Sequence, residues 1–216
     1  MIGSDWALET SRRPQGRQVM NRALLGTGRL GLRHLGWITA GLLISGFVVA
    51  ADQQASDEAQ ETVDGLIAQV EQRLSIAPDV AMAKWNSEAP INVPEREAQI
   101  LKQVVEEAQH QGVDHQLARA FFQDQFDASK AVQKQLHQQW QKESQPPFGN
   151  PPNLANDIRP QLDTLTPQLI QSLSEFQTFE TESAAQQYLE ESAARAVANN
   201  EYAEALEIAL SSLRDE

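Results

Sequence analysis

The chain of 216 residues contains no cysteine, and this absence excludes several kinds of protein chemistry. Disulfide bonds, thiolate nucleophiles and zinc sites built on thiolates all require cysteine. Histidine is also scarce, and the four that occur are His34, His110, His115 and His137. Their spacings fit no compact metal motif, so we predict solvated helical histidines, no metal site and no cofactor.

Basic residues are few, with 17 lysines and arginines against 30 acidic residues and a net charge of −13. The first 51 residues contain six arginines, no lysine and two acidic residues. Residues 52–216 therefore contain 11 basic and 28 acidic residues. A segment with a net charge of −17 cannot readily neutralise phosphates or lipid headgroups, so we predict no nucleic-acid binding. A site for a small anion would have to concentrate its few cations locally.

Long apolar runs are scarce too, and the one that occurs is HLGWITAGLLISGFVVAA over residues 34–51. Arginines precede it and small residues end it, which is typical of a secretory signal peptide. We predict such a segment over residues 1–51, with Met20 as an alternative translation start. The strongly apolar part, about 14 residues, is shorter than the ~20 that span a bilayer. The remaining chain, 52–216, is therefore expected to be periplasmic or secreted, without stable membrane association.

Residues 52–216 are poor in β-branched residues and lack the alternating pattern of strands, so we predict one multi-helix, all-α domain. Asp114 is the expected N-cap of the longest helix, and the proline-rich segment 144–156 is the clearest loop. That loop could separate two domains, but each half is too small to bury much core. The predicted helices are 61–75, 79–85, 95–111, 114–142, 158–176, 181–198 and 200–213.

A small set of cationic and amide side chains stands out in this acidic chain: Arg73, Lys84, Arg96, Ser129 and Gln133. Ser129 and Gln133 are four residues apart and share one face of a helix. Arg96 and Glu97 open another helix, where free backbone N–H groups favour an anion. The set is compatible with an anion pocket and also with ordinary solvated surface charges.

The order and spacing of these residues resemble the secreted, or gamma, subclass of AroQ-type chorismate mutases. The resemblance rests on RL…P…AKW at 73–85, PEREAQIL within 90–101 and FFQDQFDASKAVQ at 121–133. Arg159, which follows the proline-rich loop, is a further match, while the likeness from 160 onward is only helical content and length. The resemblance implies an all-helical, exported isomerase that converts chorismate to prephenate and forms a homodimer.

The resemblance also implies how the substrate is held. Arg73 and Arg159 would bind its two carboxylates, and Ser129 would support one of them through its hydroxyl. Lys84 and Gln133 would donate hydrogen bonds to the ether oxygen, which gains negative charge as its C–O bond breaks. Glutamine donates at any pH, whereas the glutamate of some relatives must first be protonated. We therefore expect no loss of activity between mildly acidic and neutral pH.

Further roles implied by the resemblance concern Glu97, which would accept a hydrogen bond from the ring hydroxyl, and Arg96, which would line the pocket and order Glu97. Arg159 precedes Pro160, and we expect this to hold Arg159 in an extended conformation at a helix start. The chain departs from the family at residues 92–93, where an aspartate is common. A contact to the substrate hydroxyl is then expected from the backbone.

Two other functions are compatible with parts of the sequence. Glutamine-rich amphipathic helices are common in non-catalytic adaptors and chaperone-like proteins outside the cytoplasm. A membrane-tethered coiled coil is disfavoured, because Pro78, Pro90, Pro94 and the 144–156 loop interrupt any long heptad pattern. An adaptor has no need for Arg73 and Lys84 to converge on one pocket, so the placement of such side chains separates the alternatives.

Overall fold

A computed structural model describes the backbone of residues 45–214 and the side chains of residues 57–214. These residues form α-helices and no strand, which confirms the predicted all-α class. The helices are α1 (Ser45–Leu74), α2 (Ala77–Ser87), α3 (Pro94–His110), α4 (His115–Lys142), α5 (Arg159–Phe176), α6 (Ser183–Asn199) and α7 (Ala203–Leu210). A π-helical turn, Leu154–Ile158, leads into α5, and a 3₁₀ turn, Ser211–Leu213, follows α7.

The start of α1 differs from the sequence prediction. The helix extends back from the predicted start near residue 61 to at least Ser45, where the described residues begin, because the intervening residues contain no proline and include four alanines and three glutamines. Most of the predicted signal segment lies outside the described residues, so the segment and its cleavage stay predictions. Within 45–214, no helix has both the length and the apolar character needed to cross a membrane.

Helix α1 supplies the central apolar stripe of the core. It packs against α5, α6 and α7 and contributes the buried side chains Val63, Leu66, Ile67, Val70 and Leu74. These residues recur at helical spacing, which places them on one face of the helix. Leu66 is fully buried, and its replacement by alanine is expected to cost about 2–5 kcal/mol of folding free energy.

Helix α4 connects the core to the polar residues of interest. Its N-cap is Asp114, as predicted, whose carboxylate accepts hydrogen bonds from the N–H groups of Gln116 at 2.7 Å and Leu117 at 3.0 Å. Gly112, in the preceding turn, has a φ of +85°, a value that favours glycine. One side of α4 packs on α7 and the others on α2 and α3, so α4 can face both the core and a cleft.

The proline-rich loop is anchored to α2 through Phe148. The side-chain amide of Asn86 donates to the Phe148 carbonyl at 2.7 Å and accepts from the Phe148 N–H at 2.8 Å. The Phe148 ring also packs on Trp140, with 4.9 Å between ring centroids. These contacts give the loop a defined path from the end of α4 back towards α2.

Beyond the loop, a small apolar cluster holds the start of α5 next to α2. Ile158 and Leu165 are buried there against Ile76 and Ala83. Arg159 follows Ile158 directly, but its backbone is helical (φ −56°, ψ −45°), so the prediction of an extended conformation was wrong. The π-helical turn runs straight into α5, and the following proline lies in the first helical turn, where its missing N–H needs no partner.

His137 also differs from its prediction as a solvated histidine. Its Nε2 lies 2.9 Å from the Ala81 carbonyl, and its ring packs edge-on against Trp85. The environment arises because α2 folds back onto α4, a packing that local spacing does not encode. His110 and His115 are exposed, as predicted.

Candidate active site

Six of the seven predicted site residues line one cavity of about 690 Å³. They are Arg73, Lys84, Arg96, Glu97, Gln133 and Arg159. The cavity is bounded by the end of α1, by α2, α3 and α4, and by the start of α5. Ser129, the seventh, is not among the lining residues, but its hydroxyl oxygen accepts a hydrogen bond from Nε2 of Gln133 at 3.0 Å.

Arg73 is a half-buried cation, and one of its guanidinium nitrogens is fully buried without a partner. It lies in the last turn of α1, where the helix dipole favours positive charge. Its Nη1 is buried and has no hydrogen-bond partner. Burial lowers the pKa of Arg73 to about 10, so the side chain stays charged at neutral pH. A buried charge without a counterion is costly, and this arrangement is suited to receive an anion.

Lys84 lies on α2, half-buried, and is held by the link between α2 and α3. Its Nζ donates to the Ile91 carbonyl at 3.0 Å, which leaves further N–H donors for a ligand. Burial lowers the pKa of Lys84, while the nearby charges of Glu97 and Lys130 act in opposite directions and more weakly. The site thus contains a second, partly desolvated cation.

Gln133 is buried on α4, one turn after Ser129. Its Nε2 donates to Ser129, while its Oε1 is buried without a hydrogen-bond partner. The serine hydroxyl can donate as well as accept. A half-turn of the amide would therefore let Ser129 donate to Oε1 and would free the amide N–H groups for a ligand.

Glu97 is fixed by contacts that the sequence analysis did not identify. Its Oε2 lies 2.7 Å from Nζ of Lys130, and its Oε1 accepts from the Val93 N–H at 3.4 Å. The expected ordering of Glu97 by Arg96 is therefore not what the contacts show, because consecutive helical residues point in different directions. Lys130 also lies 2.9 Å from Asp127, three residues earlier on α4. The spacing of three residues could have predicted the contact between Lys130 and Asp127, but no sequence signal links Lys130 to Glu97.

The exposed edge of the cavity carries charges of both signs. Arg96 and Arg159 are exposed there, and so is Asp163, which sequence reasoning missed. Asp163 follows Arg159 by four residues and therefore lies on the same face of α5. Between this edge and the buried cations, the lining is largely apolar and includes Phe122 and Phe126 of α4.

The fold and the cavity define an all-helical protein with a cavity lined by several cationic side chains, and comparisons with known proteins identify the family. The family model for type II chorismate mutases matches residues 61–134. The crystal structure of chorismate mutase from Burkholderia thailandensis is 36% identical, with a TM-score of 0.65, over 70% of this chain and 98% of that one. The chain belongs to the chorismate mutase family, as the resemblance implied.

Other relatives extend this comparison. Chorismate mutase from Burkholderia phymatum is 26% identical, with a TM-score of 0.64, over 73% of this chain and 99% of that one. The secreted chorismate mutase of Mycolicibacterium smegmatis is 28% identical over 109 residues, which are 50% of this chain and only 60% of that protein. The secreted chorismate mutase from Yersinia pestis, at 20% identity and a TM-score of 0.56 over 68% of this chain and 94% of that one, shares the fold.

Proposed function

We propose that this chain catalyses the intramolecular Claisen rearrangement of chorismate to prephenate. The observation that carries the proposal is Arg73, whose Nη1 is buried and unpaired at a cavity that also presents Lys84, Arg96 and Arg159. A dicarboxylate supplies the anionic groups that such a cavity lacks. Family membership provides the particular substrate.

The reaction sets clear requirements for the site. One C–O bond breaks and one C–C bond forms within the same molecule, and no proton leaves. The protein must hold a flexible dicarboxylate in its compact, chair-like form and stabilise the negative charge that grows on the ether oxygen. Fixed cations and hydrogen-bond donors in a partly water-excluded cavity can do both.

The proposed roles divide between carboxylate binding and ether-oxygen stabilisation. Arg73 and Arg159 bind the two carboxylates, since a planar guanidinium can form two parallel hydrogen bonds to each. Lys84 and Gln133 donate to the ether oxygen. The position of Lys84 supports its role, because a single carbonyl holds its ammonium and leaves other N–H donors free.

The remaining residues complete the substrate contacts. Glu97 accepts a hydrogen bond from the ring hydroxyl, with lone pairs that its contacts to Lys130 and Val93 leave open. Ser129 acts through Gln133, whose amide it orients, and Arg96 adds positive charge at the exposed edge.

The test is the loss of chorismate absorbance with the purified chain, together with identification of prephenate as the product. We expect saturable turnover. A chain that is helical by circular dichroism but leaves chorismate unchanged at micromolar enzyme would overturn the proposal. The same outcome would favour the non-catalytic alternative.

We also propose that the chain is exported to the periplasm or the medium. The arginine-flanked apolar segment 34–51 supports export, and so do relatives that are named as secreted. Cell fractionation and N-terminal sequencing of the recovered protein test this. Recovery of the uncleaved chain from the cytoplasm alone would contradict it.

Finally, we propose a homodimer in which each chain has a complete pocket. Arg159 and the other lining residues all come from one chain, so no residue need be borrowed from a partner. Light scattering measures the oligomeric state. Mixing Lys84→Ala with Arg73→Met protein at low chorismate concentration tests the pocket, because both variants are expected to be strongly impaired and a site built from one chain cannot regain activity on mixing.

A further inference from the structure

Lys130 is a largely buried cation that lies outside the cavity lining and joins two helices. Its Nζ is 2.7 Å from Oε2 of Glu97 on α3 and 2.9 Å from Oδ1 of Asp127 on its own helix. The Lys130 side chain is 14% exposed and that of Glu97 22%, whereas both partners in the surface pair Lys102–Glu106 are well over half exposed. The Lys130–Glu97 pair is therefore shielded from water, which strengthens it.

Without Lys130, Glu97 would have another cation within its reach. Lys84 lines the same cavity as Glu97, and the charges of both Glu97 and Lys130 affect the pKa of Lys84. A Glu97–Lys84 ion pair would neutralise the ammonium and direct it away from the substrate oxygen. Lys130, which is not among the residues that line the cavity, pairs with Glu97 instead.

Asp127 keeps the charge of Lys130 from acting as a further substrate anchor. Lys130 lies between two carboxylates, so its ammonium is more than compensated locally. Its positive charge should therefore compete little with Arg73 for the carboxylates of the ligand. The arrangement orients Glu97 without adding a competing anion site.

We propose that Lys130 is a positioning residue, which holds Glu97 against α4 and thereby keeps Lys84 unpaired and available to the reacting oxygen. This inference rests on the proposed function. It assigns Lys130 an effect on the rate of the chemical step more than on substrate capture, because Lys84 is the residue that it keeps free.

The test compares Lys130→Met with wild-type protein in the chorismate assay. A hydrogen bond between charged groups typically contributes enough for a roughly tenfold effect, so we expect kcat to fall about tenfold with a smaller change in KM. Lys130→Arg should restore most of the rate because it keeps the charge. Lys134→Met, on the exposed face one turn further along α4, is the matched control and should remain near the wild-type rate.

A double substitution separates positioning from general support of the fold. In a Glu97→Gln background there is no carboxylate to capture Lys84, so Lys130→Met should have little further effect on kcat. Equal losses in both backgrounds, or an unchanged kcat in Lys130→Met alone, would overturn the role of Lys130. An inactive wild-type protein would instead overturn the proposed function, so the two failures are distinguishable.

Discussion

The two ends of the cavity hold similar charges in different surroundings. The inner end consists of Arg73, Lys84 and Gln133, which are buried or half-buried. The rim consists of Arg96, Arg159 and Asp163, which are exposed. Water and salt screen charges at the rim, whereas a desolvated donor at the inner end acts on a ligand at nearly full strength. Substitutions at the inner end should therefore have large effects, on the rate at Lys84 and Gln133 and on binding at Arg73, whereas those at the rim should have small effects confined to capture.

The two ends also differ in the parts of the chain that supply them, although Arg96 of the rim shares the region of the inner end. The inner end lies within residues 61–134, the region that matches the family model. In the rim, Arg159 and Asp163 follow the proline-rich loop and depend on the cluster around Ile158 for their position. Substitutions that separate rate from capture would sharpen this division.

The largest expected effect is that of Lys84→Ala. Loss of one donor to a developing oxyanion in a dry site typically lowers the rate ~10²–10³-fold, and helix content should not change. Burial lowers the pKa of Lys84, so Lys84 loses its proton at a lower pH than a solvent-exposed lysine would. Wild-type activity should therefore begin to fall at a correspondingly lower alkaline pH. Steady-state kinetics across pH measure both effects. The exposed Lys102→Ala is the control, and near-wild-type turnover by Lys84→Ala would refute the mechanism.

Arg73→Met should separate binding from stability. Burial lowers the Arg73 pKa to about 10, below its value in the unfolded chain, so at neutral pH the charged form costs folding free energy, and the cost declines only as pH rises through 10. We expect ~10²-fold weaker binding of prephenate, since buried charge contacts are strong, with an equal or higher unfolding midpoint. Thermal unfolding with and without prephenate measures both. A midpoint several degrees lower would contradict this account of Arg73.

Gln133→Glu should introduce a pH dependence that the natural residue avoids. A glutamate donates a hydrogen bond only when protonated, so activity should fall as pH rises through its pKa and be roughly tenfold lower at neutral pH. The wild-type protein should show no fall between mildly acidic and neutral pH. Paired pH–rate profiles test this. A wild-type profile that collapses above pH 6 with the fold intact would count against the role of Gln133.

The smallest effects are expected at the rim. Arg159→Ala should raise KM about fivefold with little change in kcat, because exposed ion pairs contribute at most about 1 kcal/mol. Asp163→Asn should lower KM about twofold, since it removes a negative charge that repels the dicarboxylate. Both effects should shrink in high salt. A large fall in kcat for Arg159→Ala would show that the rim also contributes to the rate of the chemical step and would contradict this division.

Much of the local structure follows from the sequence for clear physical reasons. The cap at Asp114 and the turn at Gly112 are properties of single residues and their immediate neighbours, and the cap was found where the sequence predicted it. The α1 stripe from Val63 to Leu74 follows from helical spacing alone. The extension of α1 before residue 61 was missed because the apolar stripe begins only at Val63, although no proline interrupts the preceding residues.

The sequence by itself determined the helical class, most helix boundaries and which side chains have the chemistry to hold a dianion. Only the tertiary structure decided that Arg73 lacks a partner, that Lys130 rather than Arg96 fixes Glu97, and that Asp163 lies at the rim. The physical reason is the separation in sequence between the residues that interact. Caps and stripes depend on residues within a few positions, whereas a pocket depends on how helices distant in sequence pack together.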